Sequence, residues 1–310
     1  MIKSEILADS INPVGNRMTT FILEYPRFCH SEVMTHRMFS KNAASSRAIP
    51  IEKMIQQVID NPAMPVWWGK NQSGMQANEE LDDLNKKHKL ESWHEVSYSD
   101  KEIAMIQWYK ARDSAVEQAK KLNELGLHKQ VVNRVLEPFF NIRIILSGTE
   151  FENFFALRVH KDAQPELQVL ANLMLEQYNK SEPKKLQTGE WHIPFGDKIN
   201  EDKIIDIIKK YQLPNSIHVV KEKINEIKKK IAISRCARVS YFNYEGKDDY
   251  EADIKLCDRL FGSIPRHLSP TEHVAMAMDN SDFIGNFRGF KQQRYFFEDQ
   301  NLKDSRVIKK

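Results

Sequence analysis

The stretch Thr35–Arg47, THRMFSKNAASSR, gathers His36, Arg37, Ser40, Asn42, Ser45, Ser46 and Arg47, with Met38 and Phe39 its only large apolar members. Small hydroxyls beside arginines suit a phosphate. The guanidinium supplies charge and a fork of donors, while hydroxyl and backbone N–H groups meet the remaining oxygens. The same composition also describes a polar loop whose serines cap a neighbouring helix. A second stretch, NFFALRVHKDAQPE at 153–166, places Arg158 at the end of an apolar helix face. A guanidinium there needs an anionic or carbonyl partner, either a ligand or a carboxylate such as Glu152 or Glu166. A third, HLSPTEH at 267–273, is preceded by Ser240 in CARVSY. Its serine, proline and glutamate read as a helix start with a capping box.

Other chemistries find no support. Nothing is arranged as a Ser–His–Asp triad, and no Gly-rich phosphate loop or dinucleotide fingerprint occurs. None of the ten histidines falls in HxxxH or HxH spacing, so no dedicated metal site is expected. Cys29, Cys236 and Cys257 form no CxxC pair and read as reduced thiols. No apolar run approaches the ~18 residues that cross a bilayer, and the N-terminus lacks a secretory signal's apolar stretch. The expectation is a soluble, cytoplasmic protein with no membrane partner. A net charge of +3 gives no global field for nucleic acid. The basic runs 221–230 and 303–310 read as a solvated helix face and a frayed terminus. A nucleic-acid binder using 221–230 and the tryptophans of the 61–75 loop would need a steep salt dependence.

The elements that must position these residues form a mixed α and β, helix-rich pattern. Three hundred and ten residues suffice for one large domain or two modest ones. Thr19–Phe28 has the β-branched and aromatic content of a strand, with Pro26 suggesting an edge position or a bulge. Ser31–Met38 reads as a helix, followed by a polar stretch from Ser40 to Arg47. Residues 61–99 read as a long loop or an insertion around Trp67 and Trp68. Asp100 opens a helix that Gly126 ends, and HKQVVNRVLEPF continues as a second. Phe151, Phe154 and Phe155 have helical spacing. Asp162 is the expected cap of a helix carrying Pro165 in its first turn. The turn-rich segment 179–200 is the best internal boundary, followed by charged amphipathic helices near 200–211 and 215–231.

Taken together, the motifs resemble the flavin-dependent thymidylate synthase family. Its RHRxxSxNExSxRY is matched by His36-Arg37-x-x-Ser40-x-Asn42 and Ser45-x-Arg47, preceded by the strand FILEYPRF. Its NFLxLRxxxxAQxE is matched by Asn153-Phe154-Phe155-x-Leu157-Arg158 and Ala163-Gln164-x-Glu166. ARVS stands at Ala237–Ser240, and the family's H-x-(S/T)-P-x-E-H at His267–His273. In typical members those last two come first, so the resemblance implies a circular permutation. It implies one α+β catalytic domain over 1–310, a mixed or antiparallel sheet flanked by helices, with 51–99 and 179–231 as insertions or connections.

The resemblance also implies a chemistry: FAD, reduced by NADPH, and 5,10-methylenetetrahydrofolate as carbon donor place a methyl group on C5 of dUMP. His36, Arg37, Asn153, Ser240, His267 and Ser269 would contact the flavin. Ser45 and Arg47 would hold the nucleotide, chiefly its phosphate. Arg158 would face the pyrimidine and stabilise charge built on the ring. No protein nucleophile is implied, because hydride comes from the reduced flavin. A homotetramer is implied as well. Thr35 replaces the motif's first arginine, Ala43 its glutamate and Ala48 its tyrosine, while Asp162 stands where members often have histidine. Those changes keep two alternatives in view: a hydroxymethylase acting on dUMP or dCMP, and a catalytically silent nucleotide binder.

Overall fold

The computed structural model describes residues 2–81, 98–210, 217–240 and 248–297. The basic tail 303–310 and the part of the long loop at 82–97 lie outside the described residues.

Lys3–Ile11 (β1) and Arg17–Pro26 (β2) form an antiparallel hairpin, turned at Gly15 with φ +91°. That conformation carries no steric penalty for glycine. Ser40–Ala43 (β3) and Asn141–Gly148 (β4) extend the sheet on one side, and Lys184–Lys185 (β5) on the other, in the order β3-β4-β2-β1-β5. β5 runs parallel to β1, and the other pairings are antiparallel. β2 is therefore internal, which corrects the edge expected from Pro26. The proline is the strand's last residue, and the next N–H, of Arg27, bonds to Phe140 O at 2.9 Å. Its missing donor falls where the ladder ends.

Strand alternation divides the side chains between two faces. Phe21, Leu23 and Tyr25 of β2 and Ile142, Ile144 and Leu146 of β4 enter one core. There they meet Met54 and Val58 of Ile51–Asp60 (α2), Val116 and Ala119 of Asp100–Glu124 (α3), and Leu167, Leu170 and Met174 of Pro165–Lys180 (α6). Thr20 and Ser147 point to the opposite face, where Leu7 and Ile145 pack against Cys236 and Val239. Ser99 and Glu102 close a capping box on α3. α6 is capped at Gln164, not Asp162, with Pro165 in its first turn.

The helix expected over Ser31–Met38 is shorter, His30–Met34 (α1). Thr35 N and His36 N bond to Glu32 O and Val33 O, tightening the last turn, and Thr35 Oγ1 donates to Glu32 O at 2.6 Å. The polar stretch then becomes β3. HKQVVNRVLEPF yields only Lys129–Val132 (α4) before a 3-10 turn carries the chain through Pro138. The aromatic run at 151–155 opens Glu152–Arg158 (α5).

Beyond α6, the segment 179–200 carries β5 and Trp191–His192 (β6), which pairs with Ala275–Ala277 (β7). Glu201–Lys210 (α7), Ile217–Val239 (α8) and Tyr250–Gly262 (α9) form a helical group around Ile204, Ile208, Ile224, Ile227 and Tyr250. Phe283–Ile284 (β8) pairs with Phe287–Arg288 (β9), and Phe290–Gln292 (β10) pairs with β7. The class is α+β, mixed and helix-rich. Among the described residues no helix is long and apolar enough to cross a membrane.

Candidate active site

The Thr35–Arg47 stretch divides into two halves with different surroundings. Early closure of α1 swings His36 under α5, where its ring lies edge-on to Phe154 at 5.0 Å between centroids. Arg158, at the end of α5, donates from Nε to His36 Nε2 at 2.9 Å and from Nη1 to Glu32 at 3.0 Å. Accepting that bond requires a neutral imidazole on Nε2. Partial burial, then the charges of Arg158 and Lys41, push the His36 pKa down to about 4, so the ring is neutral at pH 7. Arg158 is thus fixed in orientation, with further guanidinium N–H groups uncommitted among the described residues. Glu32, a helical turn before His36, was legible only as spacing. It carried no motif match.

A cavity of about 780 Å³ opens beside this arginine. Glu32 and Arg158 line one part, Ala163, Gln164, Pro165 and Gln168 at the start of α6 another, and Trp67 with Met75–Asn78 a third. Its size falls in the range of small-molecule sites.

The second half is tied into the fold. Ser40 is buried and accepts from Gln292 at 2.8 Å and Asn286 at 3.1 Å. Asn42 donates to Cys236 O, the Ser240 hydroxyl donates to Asn42 Oδ1 at 3.1 Å, and Ser45 N donates to Ser240 O at 2.9 Å. ARVS, the end of α8, is thereby brought against the first motif across nearly two hundred positions. Ser46 donates to Glu137, while Arg47 is exposed. The Ser240 hydroxyl donates to Asn42, which leaves its oxygen free to accept from a further group.

HLSPTEH forms a 3-10 turn at Ser269–His273 with no side-chain cap, so the expected capping box is absent. Its glutamate instead faces outward from the turn, where Glu272 pairs with Arg294. Lys41, bonded to His36 O, feels Glu272 as well, though burial dominates and lowers its pKa to about 8. His267 and Ser269 are exposed, as are Arg37 and Asn153. These four have the donor chemistry that a pyrophosphate or a flavin edge needs. The structure joins His36 to Arg158 and Ser45 to Ser240 by direct bonds, and among the described residues no side-chain hydrogen bond joins Asn153 or His267 to either pair.

His273 is buried and belongs to a chain that motif spacing did not show. Its Nδ1 meets Ser147 Oγ at 2.8 Å, Ser147 meets Thr20 at 2.7 Å, Thr20 meets His192 Nε2 at 2.8 Å, and His192 Nδ1 meets Ser10 at 3.0 Å. Burial lowers His192 to about 4 and His273 to about 3, so both are neutral.

A sheet with helices on both faces and an arginine fixed beside a cavity of small-molecule size define an α+β protein with a candidate ligand site. Residues 13–184 match the family model described as thymidylate synthase complementing protein, and this chain belongs to that family, the flavin-dependent thymidylate synthases. ARVS and HLSPTEH lie beyond the matched span. Two crystal structures of a UMP/dUMP methylase, PolB from Streptomyces cacaoi, are similar. The form bound to 5-bromo-UMP is 15% identical, covers 58% of this chain and 89% of its own, and has a TM-score of 0.40. The form bound to 5-bromo-dUMP is 18% identical, covers 53% and 67%, and has a TM-score of 0.37. No curated protein matches.

Proposed function

We propose that this protein is a flavin-dependent enzyme that adds a methyl group to C5 of dUMP, with 5,10-methylenetetrahydrofolate as carbon donor and NADPH as reductant. The observation that carries the reading is Arg158, held by His36 and Glu32 beside the cavity and inside the family-matched span. Bonding at the pyrimidine C5–C6 edge pushes charge onto the ring carbonyls. A guanidinium already oriented stabilises that charge without reorganising. The neutral His36 is what lets Nε of Arg158 be held by an acceptor rather than repelled by a second cation. Ser45 and Arg47 would take the phosphate, and Arg37, His36, Asn153, Ser240, His267 and Ser269 the flavin. The bound flavin would supply the two-electron reducing chemistry. We also read the chain as one catalytic unit with its C-terminal motifs permuted, a cytoplasmic homotetramer.

The first test is a visible absorption spectrum of the purified protein before and after adding FAD and dUMP, followed by mass analysis of the nucleotide product. A bound-flavin spectrum and a 5-methyl product support the reading. A product heavier by one oxygen makes the enzyme a hydroxymethylase. Flavin-free protein that binds dUMP without turnover would make it the silent binder, to which Thr35 lends an observation: its hydroxyl is spent on Glu32 O.

A further inference from the structure

The segment 61–81 lies outside every motif, yet it builds one wall of the Arg158 cavity. It is held from several sides. Ala63 O accepts from the Trp108 indole at 3.0 Å, and Val66 N donates at 2.9 Å to the buried Glu166, the glutamate of AQxE. Trp68 packs edge-on against Trp108 with centroids 6.1 Å apart. The two arms then close as a hairpin with a bridge between Gly69 and Glu80, so tightly that a Cβ at Gly69 would lie 2.2 Å from Ala77 Cβ. Gln76 reaches Asp162 O.

Adjacent residues in extended chain point to opposite sides. With Trp68 turned against Trp108, Trp67 lines the cavity, and it is 41% exposed. A large aromatic face left open beside an arginine is a stacking surface. Gln164 lines the same cavity, and its Oε1 is buried without a partner among the described residues.

We infer that Trp67 is the stacking platform for the substrate's pyrimidine ring, and that Gln164 and Arg158 read the ring's polar edge. This deepens the proposed function and rests on it. Uracil presents two carbonyl oxygens flanking an N–H. The guanidinium donates to a carbonyl, and an acceptor oxygen on Gln164 meets the N–H. Cytosine offers an acceptor at that ring nitrogen and an amine in place of one carbonyl, so it leaves Gln164 Oε1 facing a lone pair. Glu166 and Gly69 are positioning residues, since they set Trp67 rather than touch the ring.

The test uses the full-length holoenzyme and titrates dUMP and dCMP by calorimetry. Stacking of a base on an aromatic side chain supports a loss on the order of tenfold or more in dUMP affinity for Trp67→Leu. Trp67→Phe should stay within about threefold, because a ring remains. Gln164→Leu should narrow the preference for dUMP over dCMP. Thermal melting checks that the exposed Trp67 variants stay folded, and the Phe variant serves if the Leu variant does not. Unchanged dUMP affinity in folded Trp67→Leu, with wild-type binding intact, overturns the stacking assignment and leaves the proposed function standing. A wild-type holoenzyme that does not bind dUMP at all overturns both.

Discussion

Histidines are put to opposite uses in two regions of this molecule. On the far face of the sheet, His192 and His273 are fully buried and joined through Ser147 and Thr20 to Ser10, and each ring serves a neighbouring hydroxyl. Beside the cavity, His36 is half-buried and spends its Nε2 on Arg158, whose outer N–H groups are left for something else. Polar groups in the first region are spent on one another, His273 Nε2 alone of the two rings' nitrogens lacking a partner among the described residues, so their loss is expected to be felt as stability. Those in the second are held in place but not used up, so under the proposed function their loss is expected to be felt in ligand chemistry. The contrast separates residues that look alike in sequence.

The most severe break is expected at the cavity. Arg158→Ala should lower kcat about 10²–10³-fold, the usual consequence of losing a preorganised donor, while the melting temperature stays near that of the wild type. Product formation and a thermal scan check both halves of that statement, and full activity would remove Arg158 from the proposed role. In the buried chain the order is reversed. Thr20→Val leaves His192 and Ser147 short of a partner and should cost about 1–3 kcal/mol in urea unfolding. Flavin binding in the folded fraction should be unaltered.

Acid sharpens the same difference. His192 and His273 are held at about 4 and about 3 in the fold, below the ordinary value near 6.5. Between those values the unfolded chain binds more protons than the folded one, so stability rises with pH. The contribution is complete above about pH 6.5 and is lost as pH falls toward 4. Each histidine steepens the dependence by up to about 1.4 kcal/mol per pH unit. Urea midpoints measured from pH 7 to 4 should therefore fall, and replacing His192 by Gln should flatten the slope.

The smallest effect tests a residue between the two regions. Ser240→Ala removes the hydroxyl bond to Asn42 and should cost about 0.5–1.5 kcal/mol of stability, with the backbone bond from Ser45 retained. Weakened FAD affinity would in addition support direct contact of Ser240 with flavin.

Much of the candidate site was readable along the chain because its polar residues cluster. Residues 35–47 and 153–166 each concentrate their polar groups within a short stretch, and the first motif keeps Arg37, Arg47, Ser40 and Ser45 despite losing its first arginine, its glutamate and its tyrosine. Local signals failed where neighbours in space decided. Ser31–Met38 has helical content throughout, yet backbone bonds to Glu32 O and Val33 O end α1 at Met34, and β4 then draws Ser40–Ala43 into the sheet. Pro26 read as an edge signal because sequence does not show where a ladder stops. His273 stood inside a recognised motif, but its partner is Ser147 on β4, linked onward to Thr20 on β2 and His192 on β6.

By itself, then, the sequence determined the helix-rich α+β class and the family, and it singled out Arg158 as a candidate, because periodicity and motif spacing are local properties of a chain. Tertiary structure alone decided which polar groups are closed and which stay open. That distinction depends on contacts between Arg158 and His36, Ser240 and Asn42, and Trp67 and its cavity. No spacing along the chain encodes those distances; they follow from how strands pair and which faces are left uncovered.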